Sequence, residues 1–243
     1  MDRDIHYKEF WQLIRSKVLT MRELDSTLEL LPQAKVHRYY IAPVVSEKTI
    51  LEFERKNKIT LPPSYRSYLQ YFGAQGASAY TRTIHFETEI FHKDVSGISD
   101  FVPFEGTREP TEEEISKGIR YEQGTVSIAL GWNPIGPQLV LNGEASGYVF
   151  WDSCEYIGCE GEFWQWYSTW TDKALAAINQ RLTLKNLPRG TDITDVEKLV
   201  AKENVSLGEW QNHKCAFIKH DVPSEEVLTI FTLDDNGLIL EIF

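Results

Sequence analysis

The spacing of apolar residues changes along the chain, and this change constrains the fold more than any other feature. Within 10–32 and 47–72, apolar residues recur at the steps of three and four that mark an amphipathic helix. Between 84 and 152, several short segments instead place an apolar residue at every second position, as half-buried antiparallel strands do. A further helical stretch begins at Phe163. This mixture of helical and antiparallel patterns predicts an α+β fold.

Two signals divide the N-terminal helical region. Ser46 is a suitable N-cap for a helix over 47–57, and Glu47 in its first turn favours the helix dipole. The run Leu61-Pro62-Pro63 then interrupts the chain, and proline is tolerated in the first turn of the helix that follows. Gly73 ends that second helix.

Other elements are predicted before and after this pair of helices. A longer helix over 10–32 ends at Pro32, and the apolar run 36–45 predicts a strand. The polar stretch 94–124 is interpreted as a long loop with one short helix. Further strands are predicted at 84–90, 126–130, 139–141 and 148–152.

The C-terminal third begins with an aromatic helix and then changes character. The helix over 163–178 carries large aromatic residues on one face, and the Pro-Arg-Gly run at 188–190 is typical of a linker. We therefore predict one domain over 1–187, with an N-terminal helical extension, and a small helix-plus-hairpin unit over 188–243.

The small unit has its own start and turn signals. Thr194 and Glu197 have the spacing of a capping box, and a strand is predicted at 215–218. Asn236-Gly237 predicts the turn of a hairpin over 227–243. Because this hairpin is apolar on both faces and an isolated hairpin is marginal in water, we expect it to dock on other elements, with the helix beginning at Thr194 as one candidate.

The charge balance excludes some classes of partner. The chain of 243 residues carries 25 basic and 36 acidic residues, for a net charge of −11. Phosphate contacts need clustered Lys and Arg, so nucleic acids and anionic membrane surfaces are not expected partners. A basic protein partner is compatible with this charge, and so is a charge that serves solubility alone.

The N-terminus and the cysteines bear on location. The first residues are charged with no apolar stretch behind them, and no apolar run approaches the ~20 residues needed to span a bilayer. The chain has three cysteines, an odd number that fits a reducing compartment better than a disulfide framework. We expect a cytoplasmic protein.

Motifs for catalysis or cofactor binding do not emerge. Gly131 and Gly136 have the spacing of a phosphate loop, but Pro137-Gln138 stands where Lys-Ser/Thr is required. The best metal candidate pairs Cys154 and Cys159 with a distant His213 and Cys215, a looser spacing than structural zinc sites use. We predict no catalytic residues, no metal and no cofactor.

One short segment combines acidic and aromatic residues. Within 151–162 lie Trp151, Asp152, Glu155, Glu160 and Glu162. Tryptophan is enriched among the residues that dominate interface energies, so this segment is the predicted partner-binding surface. The alternative is that Trp151 belongs to the core and the carboxylates form an ordinary solvated loop.

A series of short motifs runs through the middle of the chain in a fixed order. They are Ile50, Phe53-Glu54, Ile59, Leu61-Pro62-Pro63-Ser64-Tyr65-Arg66, Tyr68-Leu69, Phe72-Gly73, Gly76, Leu139-Val140-Leu141, Gly147-Tyr148-Val149-Phe150-Trp151-Asp152 and Phe163-x-x-Trp166. In this order they resemble the SUKH superfamily of toxin-immunity and cell-wall-assembly regulator proteins, over roughly residues 45–170. The chain departs from the family's pattern at Gly73-Ala74-Gln75-Gly76 and at Pro137-Gln138.

This resemblance implies a fold and two alternative functions. The implied fold is α+β, with a twisted and mostly antiparallel sheet flanked by helices. Bacterial members resemble immunity proteins that neutralise a toxin, often a nuclease, by direct binding, and fungal relatives are scaffold-like regulators of cell-wall synthesis. A nuclease carries a basic cleft, so an acidic inhibitor would be steered towards it.

Overall fold

A computed structural model of the protein describes residues 2–78, 83, 101–117, 124–129, 136–152, 155–201, 204–211, 213–222 and 225–242. Its helices are α1 (Asp2–Leu24), α2 (Ala34–His37), α3 (Glu47–Asn57), α4 (Pro63–Tyr71), α5 (Glu112–Lys117), α6 (Phe163–Lys185) and α7 (Ile193–Val196). Its strands are β1 (Gly106–Arg108), β2 (Thr125–Ser127), β3 (Gln138–Val140), β4 (Tyr148–Asp152), β5 (Ile157–Glu162), β6 (Val205–Trp210), β7 (His213–Val222), β8 (Glu225–Leu233) and β9 (Ile239–Ile242).

The first sheet has buried residues on both of its faces. Its strands run antiparallel in the order β1-β5-β4-β3-β2. Leu139 and Val149 belong to a large core shared with α1, α4 and α6, whereas Val140 and Phe150 pack with Phe101 in a smaller cluster. Since successive strand residues point to opposite faces, these two clusters lie on opposite sides of the sheet. The predicted α+β class, with an antiparallel sheet flanked by helices, is confirmed.

The large core is centred on the fully buried Trp11 of α1. Its Nε1 donates to Ser67 Oγ of α4 at 2.9 Å, which satisfies the polar atom of the indole. Its ring contacts those of Phe10, Tyr68, Phe72, Phe163 and Tyr167. These contacts join α1, α4 and α6, so the N-terminal helix is part of the core and places the start of α6 beside it.

The predicted end of the first helix is wrong. The helix ends at Leu24, because the Asp25 carboxylate accepts hydrogen bonds from the backbone N–H groups of Glu29 and Leu30 at 2.8 and 3.0 Å and turns the chain. Leu30 is nevertheless buried in the core. The helical spacing of apolar residues therefore continues to residue 32 in the sequence, although the helix itself ends at Leu24.

The predicted strand over 36–45 is also wrong. Arg38 and Tyr39 have φ of 51° and 50°, which a strand cannot accommodate. The conformation is fixed by Tyr39, which is fully buried and donates its hydroxyl to Asp25 Oδ2 at 2.6 Å. Only an isolated antiparallel bridge at Ile41 remains of the expected strand.

The predicted pair of helices around the proline run is confirmed. Ser46 Oγ accepts the Thr49 N–H at 3.2 Å, as an N-cap does. The buried Glu54 of α3 accepts the Leu61 N–H at 2.8 Å and pairs with Arg66 of α4 at 2.5 Å. This carboxylate therefore fixes both the Leu-Pro break and the angle at which α4 leaves it.

The second sheet is antiparallel in the order β6-β7-β8-β9. The predicted 227–243 hairpin corresponds to β8 and β9, and the expectation that it docks is confirmed. Its buried residues share a cluster with the α7 region and the end of α6, formed by Leu184, Ile193, Val196, Val200, Ala216, Ile218, Phe231, Leu233 and Ile239.

The turn and cap of this unit differ in how well the sequence predicted them. The hairpin turn lies where Asn236-Gly237 placed it: Gly237 has φ of 82°, and Asp234 accepts the Leu238 N–H at 2.8 Å. The N-cap of α7 is Asp192 rather than Thr194, because the Asp192 carboxylate accepts the Thr194 N–H at 2.8 Å.

The second sheet contacts α6 through a polar junction. The buried His220 of β7 hydrogen-bonds to Gln180 of α6 at 2.6 Å and to Thr229 of β8 at 2.9 Å. Lys173 of α6 also pairs with Asp221 at 2.9 Å. The division into 1–187 and 188–243 stays a prediction, and α6 is the element that connects its two parts.

Some predictions fall outside the described residues or were incomplete. The strand predicted at 84–90 lies outside them. The described part of the predicted loop 94–124 contains α5, as expected, and also β1, which was not predicted. Strands β5 and β6 were not predicted either. No helix in the described part of the chain is long and apolar enough to cross a membrane.

Candidate functional site

The pairing of β4 with β5 decides which residues of the predicted binding segment share a face. Trp151 lies opposite Gly158, and Asp152 lies opposite Ile157. Because side chains alternate along a strand, Trp151 shares its face with Gly158 and Glu160. Asp152 lies on the other face, which the smaller Phe101 cluster covers.

Trp151 lies directly over Gly158. A Cβ atom at position 158 would come within 2.3 Å of Trp151 Cε2, so only glycine allows the indole to lie flat on β5. The Trp151 Nε1 donates to Glu160 Oε1 at 2.8 Å, and the Trp151 residue is half-buried while Glu160 is exposed. The indole is therefore held by the strand on one face and by a carboxylate at its edge.

A second indole–carboxylate pair follows at the start of α6. Glu162 is the N-cap of α6 and forms a capping box with Gln165, whose Oε1 accepts the Glu162 N–H at 3.1 Å. Trp164 Nε1 donates to Glu162 Oε2 at 2.7 Å. Glu162 is thus engaged in starting the helix as well as contributing charge.

Among the five predicted binding residues, the structure brings Trp151 and Glu160 into direct contact. Glu155 is exposed beyond the end of β4, and Glu162 lies at the N-terminus of α6. Sequence reasoning missed Trp164, although the Glu162-x-x-Gln165 spacing is a recognisable capping signal. We call Trp151, Glu155, Glu160, Glu162 and Trp164 the acidic–aromatic surface.

A cation on the neighbouring strand is already engaged. Arg108 of β1 lies opposite Ile157 and makes two hydrogen bonds of 2.7 Å to the Glu114 carboxylate. Hydrogen bonding to Arg108 lowers the pKa of Glu114 to about 2. Arg108 also lies 4.4 Å from the centre of the Phe104 ring. Its charge is thus largely compensated within β1 and α5, and it does little to neutralise the nearby carboxylates.

The arrangement suits binding of a cation. An indole face with a carboxylate at its edge favours an ammonium or guanidinium group, through cation–π attraction and a charge-assisted hydrogen bond. The region that holds it, from α3 to the first half of α6, is also the region that a known family model matches. That model is the SMI1 / KNR4 family (SUKH-1), and it matches residues 44–176.

The chain belongs to the SMI1 / KNR4 family (SUKH-1). The resemblance identified over residues 45–170 is thereby confirmed. No curated protein and no solved structure gives a significant match. The SUKH families include immunity proteins and cell-wall regulators, and their members are generally non-catalytic binding proteins.

The SUKH-1 region contains both the acidic–aromatic surface and the Glu54–Arg66 pair that fixes the Leu-Pro break. All of α1 and all of the second sheet lie outside the matched residues. The family match therefore extends to the site but not to the C-terminal unit.

The described candidate metal ligands lie in two different sheets. Cys159 of β5 is buried in the Phe101 cluster, and Cys215 is buried in the second sheet next to exposed His213. Cys154 lies outside the described residues. Within the described ranges, no group of three or more His, Cys, Asp or Glu residues could hold a metal ion.

The second sheet carries an open cleft at one end. It is bordered by Arg189, Trp210, His213, Asp234 and Glu241. This border carries one arginine and two carboxylates, so the cleft lacks the uniform sign of charge that would select a charged ligand. The acidic–aromatic surface remains the stronger candidate site.

Proposed function

We propose that this SUKH-1 protein is a cytoplasmic immunity protein that neutralises a cognate bacterial toxin through direct protein–protein binding. The class of toxin we favour is a nuclease. The immunity protein has no catalytic chemistry of its own in this role. The observation that carries the proposal is the Trp151–Glu160 pair, an indole held flat on β5 with an exposed carboxylate at its edge.

The physics of the surface supports a basic partner. Tryptophan side chains dominate many interfaces because they bury a large area with little loss of conformational freedom. Trp151 is already immobilised by Gly158 and Glu160, so binding would order it at little further entropic cost. The net charge of −11 would steer a basic partner towards the protein and accelerate encounter.

Occlusion is the mechanism that follows. A nuclease binds phosphate groups with clustered Lys and Arg, and those same side chains can bind Glu155 and Glu160 in place of phosphate. The guanidinium of one arginine would lie on the free face of Trp151. The toxin is then inactive because its substrate cleft is filled.

The direct test uses the protein encoded beside this gene. The purified neighbouring gene product is mixed with this protein, and its nuclease activity and complex formation are measured. Stoichiometric inhibition with a stable complex supports the proposal. A neighbouring product that has no toxic activity, or one that is toxic and stays fully active in the presence of this protein, contradicts it.

A second candidate function is a regulatory scaffold of the cell-wall-assembly type. The matched family includes such regulators, and the second sheet outside residues 44–176 would offer an additional surface. A scaffold predicts a partner without toxicity and a growth or cell-shape defect on deletion. An immunity protein predicts that deletion is harmless once the toxin gene is also removed.

A further inference from the structure

The two edges of the second sheet differ in how they are protected. At β9, the chain itself covers the edge: Gly190 N–H donates to the Ile239 carbonyl at 2.8 Å, and Ile239 N–H donates to the Thr191 carbonyl at 2.9 Å. An isolated bridge between Asp192 and Leu238 continues this pairing. β9 also has an irregular register with β8. The β9 edge is therefore covered around Ile239.

The other edge, β6, has none of these protections in the described part of the chain. It runs for 6 residues and pairs with β7 from Val205 to Trp210 without a register shift. Between described residues, no backbone hydrogen bond reaches the outer side of β6 over residues 205–209. It contains no proline and no lysine, which are the usual means of blocking an edge. β6 is thus a template for another strand.

The side chains of β6 define what such a strand would contact. Leu207 lies opposite Ala216 of the buried cluster, yet 68% of it is exposed, because no described strand lies beyond it. On the opposite face, a Cβ at Gly208 would come within 3.2 Å of the Phe217 ring, so the glycine leaves that ring uncovered from the β6 side. An added strand would bury Leu207 on one face and pack on Phe217 on the other.

The charge of β6 selects the chemistry of this strand. Glu209 is exposed and is the charged residue of β6. Lys214 lies opposite it on β7, but the Lys214 Nζ pairs with Asp235 at 3.1 Å and not with Glu209. A lysine or arginine on an added strand would form a favourable cross-strand pair with Glu209. A second copy of this chain is a poor occupant, because two molecules of charge −11 repel each other and β6 offers no cation to pair with Glu209.

We propose that the β6 edge binds an extended segment of another protein by β-strand addition, and that this segment alternates apolar residues with a cation facing Glu209. Main-chain hydrogen bonds would supply affinity, and contacts with Leu207, Phe217 and Glu209 would supply selectivity. The surface is separate from the acidic–aromatic surface, so the proposal holds whether or not the partner is a toxin.

The test uses a synthetic strand as the probe. It is a peptide of about 6 residues in which valine alternates with threonine and one lysine is placed to face Glu209. Its control is the same peptide methylated on alternate backbone nitrogens, which cannot donate to an edge. Binding to the full-length protein is followed by amide chemical shifts.

The expected result is a saturable shift of the β6 amides with the first peptide and none with the methylated one. Leu207→Lys should weaken binding about tenfold, whereas Leu240→Lys, a matched change on exposed Leu240 of β9, should not. Glu209→Gln should weaken binding of the lysine peptide alone.

Three results would overturn the proposal. The first is an absence of β6 shifts at saturating peptide, and the second is an equal response to the methylated peptide. The third is a dependence of the β6 shifts on protein concentration without peptide, which would assign the edge to a second copy.

Discussion

The two sheets of this protein expose different features to a partner. The first sheet is covered on both faces, by the α1–α4–α6 core on one side and the Phe101 cluster on the other, and its candidate binding groups lie around Trp151. In the described part of the chain, the second sheet is covered on one face, and no strand pairs with the outer edge of β6 over residues 205–209. The proposed binding would therefore depend on side-chain chemistry at the first sheet and on main-chain pairing at the second.

Substitutions in the two hydrophobic cores should have the largest effect on the free energy of unfolding, and the effect should be greater in the core of the first sheet. Trp11→Ala removes an indole that contacts five other rings, and we expect a loss of about 5 kcal/mol of unfolding free energy. Phe231→Ala in the second sheet should cost less, about 3 kcal/mol. Both losses can be measured by urea titration. The control is Leu13→Ala at an exposed position, which should change the unfolding free energy by no more than about 0.5 kcal/mol. The comparison fails if the Phe231 variant is the less stable of the two.

The stability contributed by the polar junction between α6 and the second sheet should depend on pH. Burial and the nearby Arg181 charge lower the pKa of His220 to about 4, below its ordinary value of 6.5. The folded protein therefore binds fewer protons than the unfolded chain between these two values, so this contribution to stability is complete above pH 6.5 and is lost as the pH falls towards 4. At about 1.4 kcal/mol per pH unit, the loss reaches about 3 kcal/mol.

The control for this pH effect is His220→Gln, which retains hydrogen-bonding capacity towards Gln180 and Thr229 but has no charge to gain. Unfolding free energies measured from pH 7 to pH 4.5 should flatten in the variant. An equally steep loss in the variant would show that His220 is not the group responsible.

A smaller effect is expected at the rim of the first sheet. Gly158→Ala places a Cβ where the Trp151 ring lies, and overpacking of this kind costs about 1–3 kcal/mol. Because Trp151 is at the rim, it can move outwards, and the cost should lie near the lower end. The Trp151 indole N–H signal should shift as the hydrogen bond to Glu160 breaks, while that of Trp164 should not. An unchanged Trp151 signal would show that the indole does not lie on Gly158.

The elements that the sequence predicted correctly are those with local signals. Ser46 caps α3 through its own side chain, and Gly237 supplies the positive φ that the hairpin turn requires. The failures depend on side-chain hydrogen bonds that the spacing of apolar residues does not show. Helix α1 ends because Asp25 caps the following turn, and the run 36–45 is bent because Tyr39 reaches back to Asp25. An apolar stripe continues through such bends and does not reveal them.

The candidate site was predictable only as a list of residues. Strand β5 contains two glycines, which disfavour a strand on propensity alone, and one of them is required because Trp151 lies on it. The register between β4 and β5 then determines that Trp151 and Glu160 share a face and that Asp152 does not. Register depends on pairing between strands, which a single sequence does not specify.

The measurement that tests the central claim most directly is the association rate between this protein and its partner as a function of salt. Glu155→Lys with Glu160→Lys reverses the exposed charges while leaving Glu162 to cap α6. A matched control, Glu23→Lys with Glu52→Lys, makes the same change in net charge on α1 and α3. We predict that the first variant associates at least about tenfold more slowly at low salt, with dissociation changed less, and that it loses most of its salt dependence. Equal slowing by both variants, or an unchanged rate in the first, would contradict the assignment of the acidic–aromatic surface as the binding site.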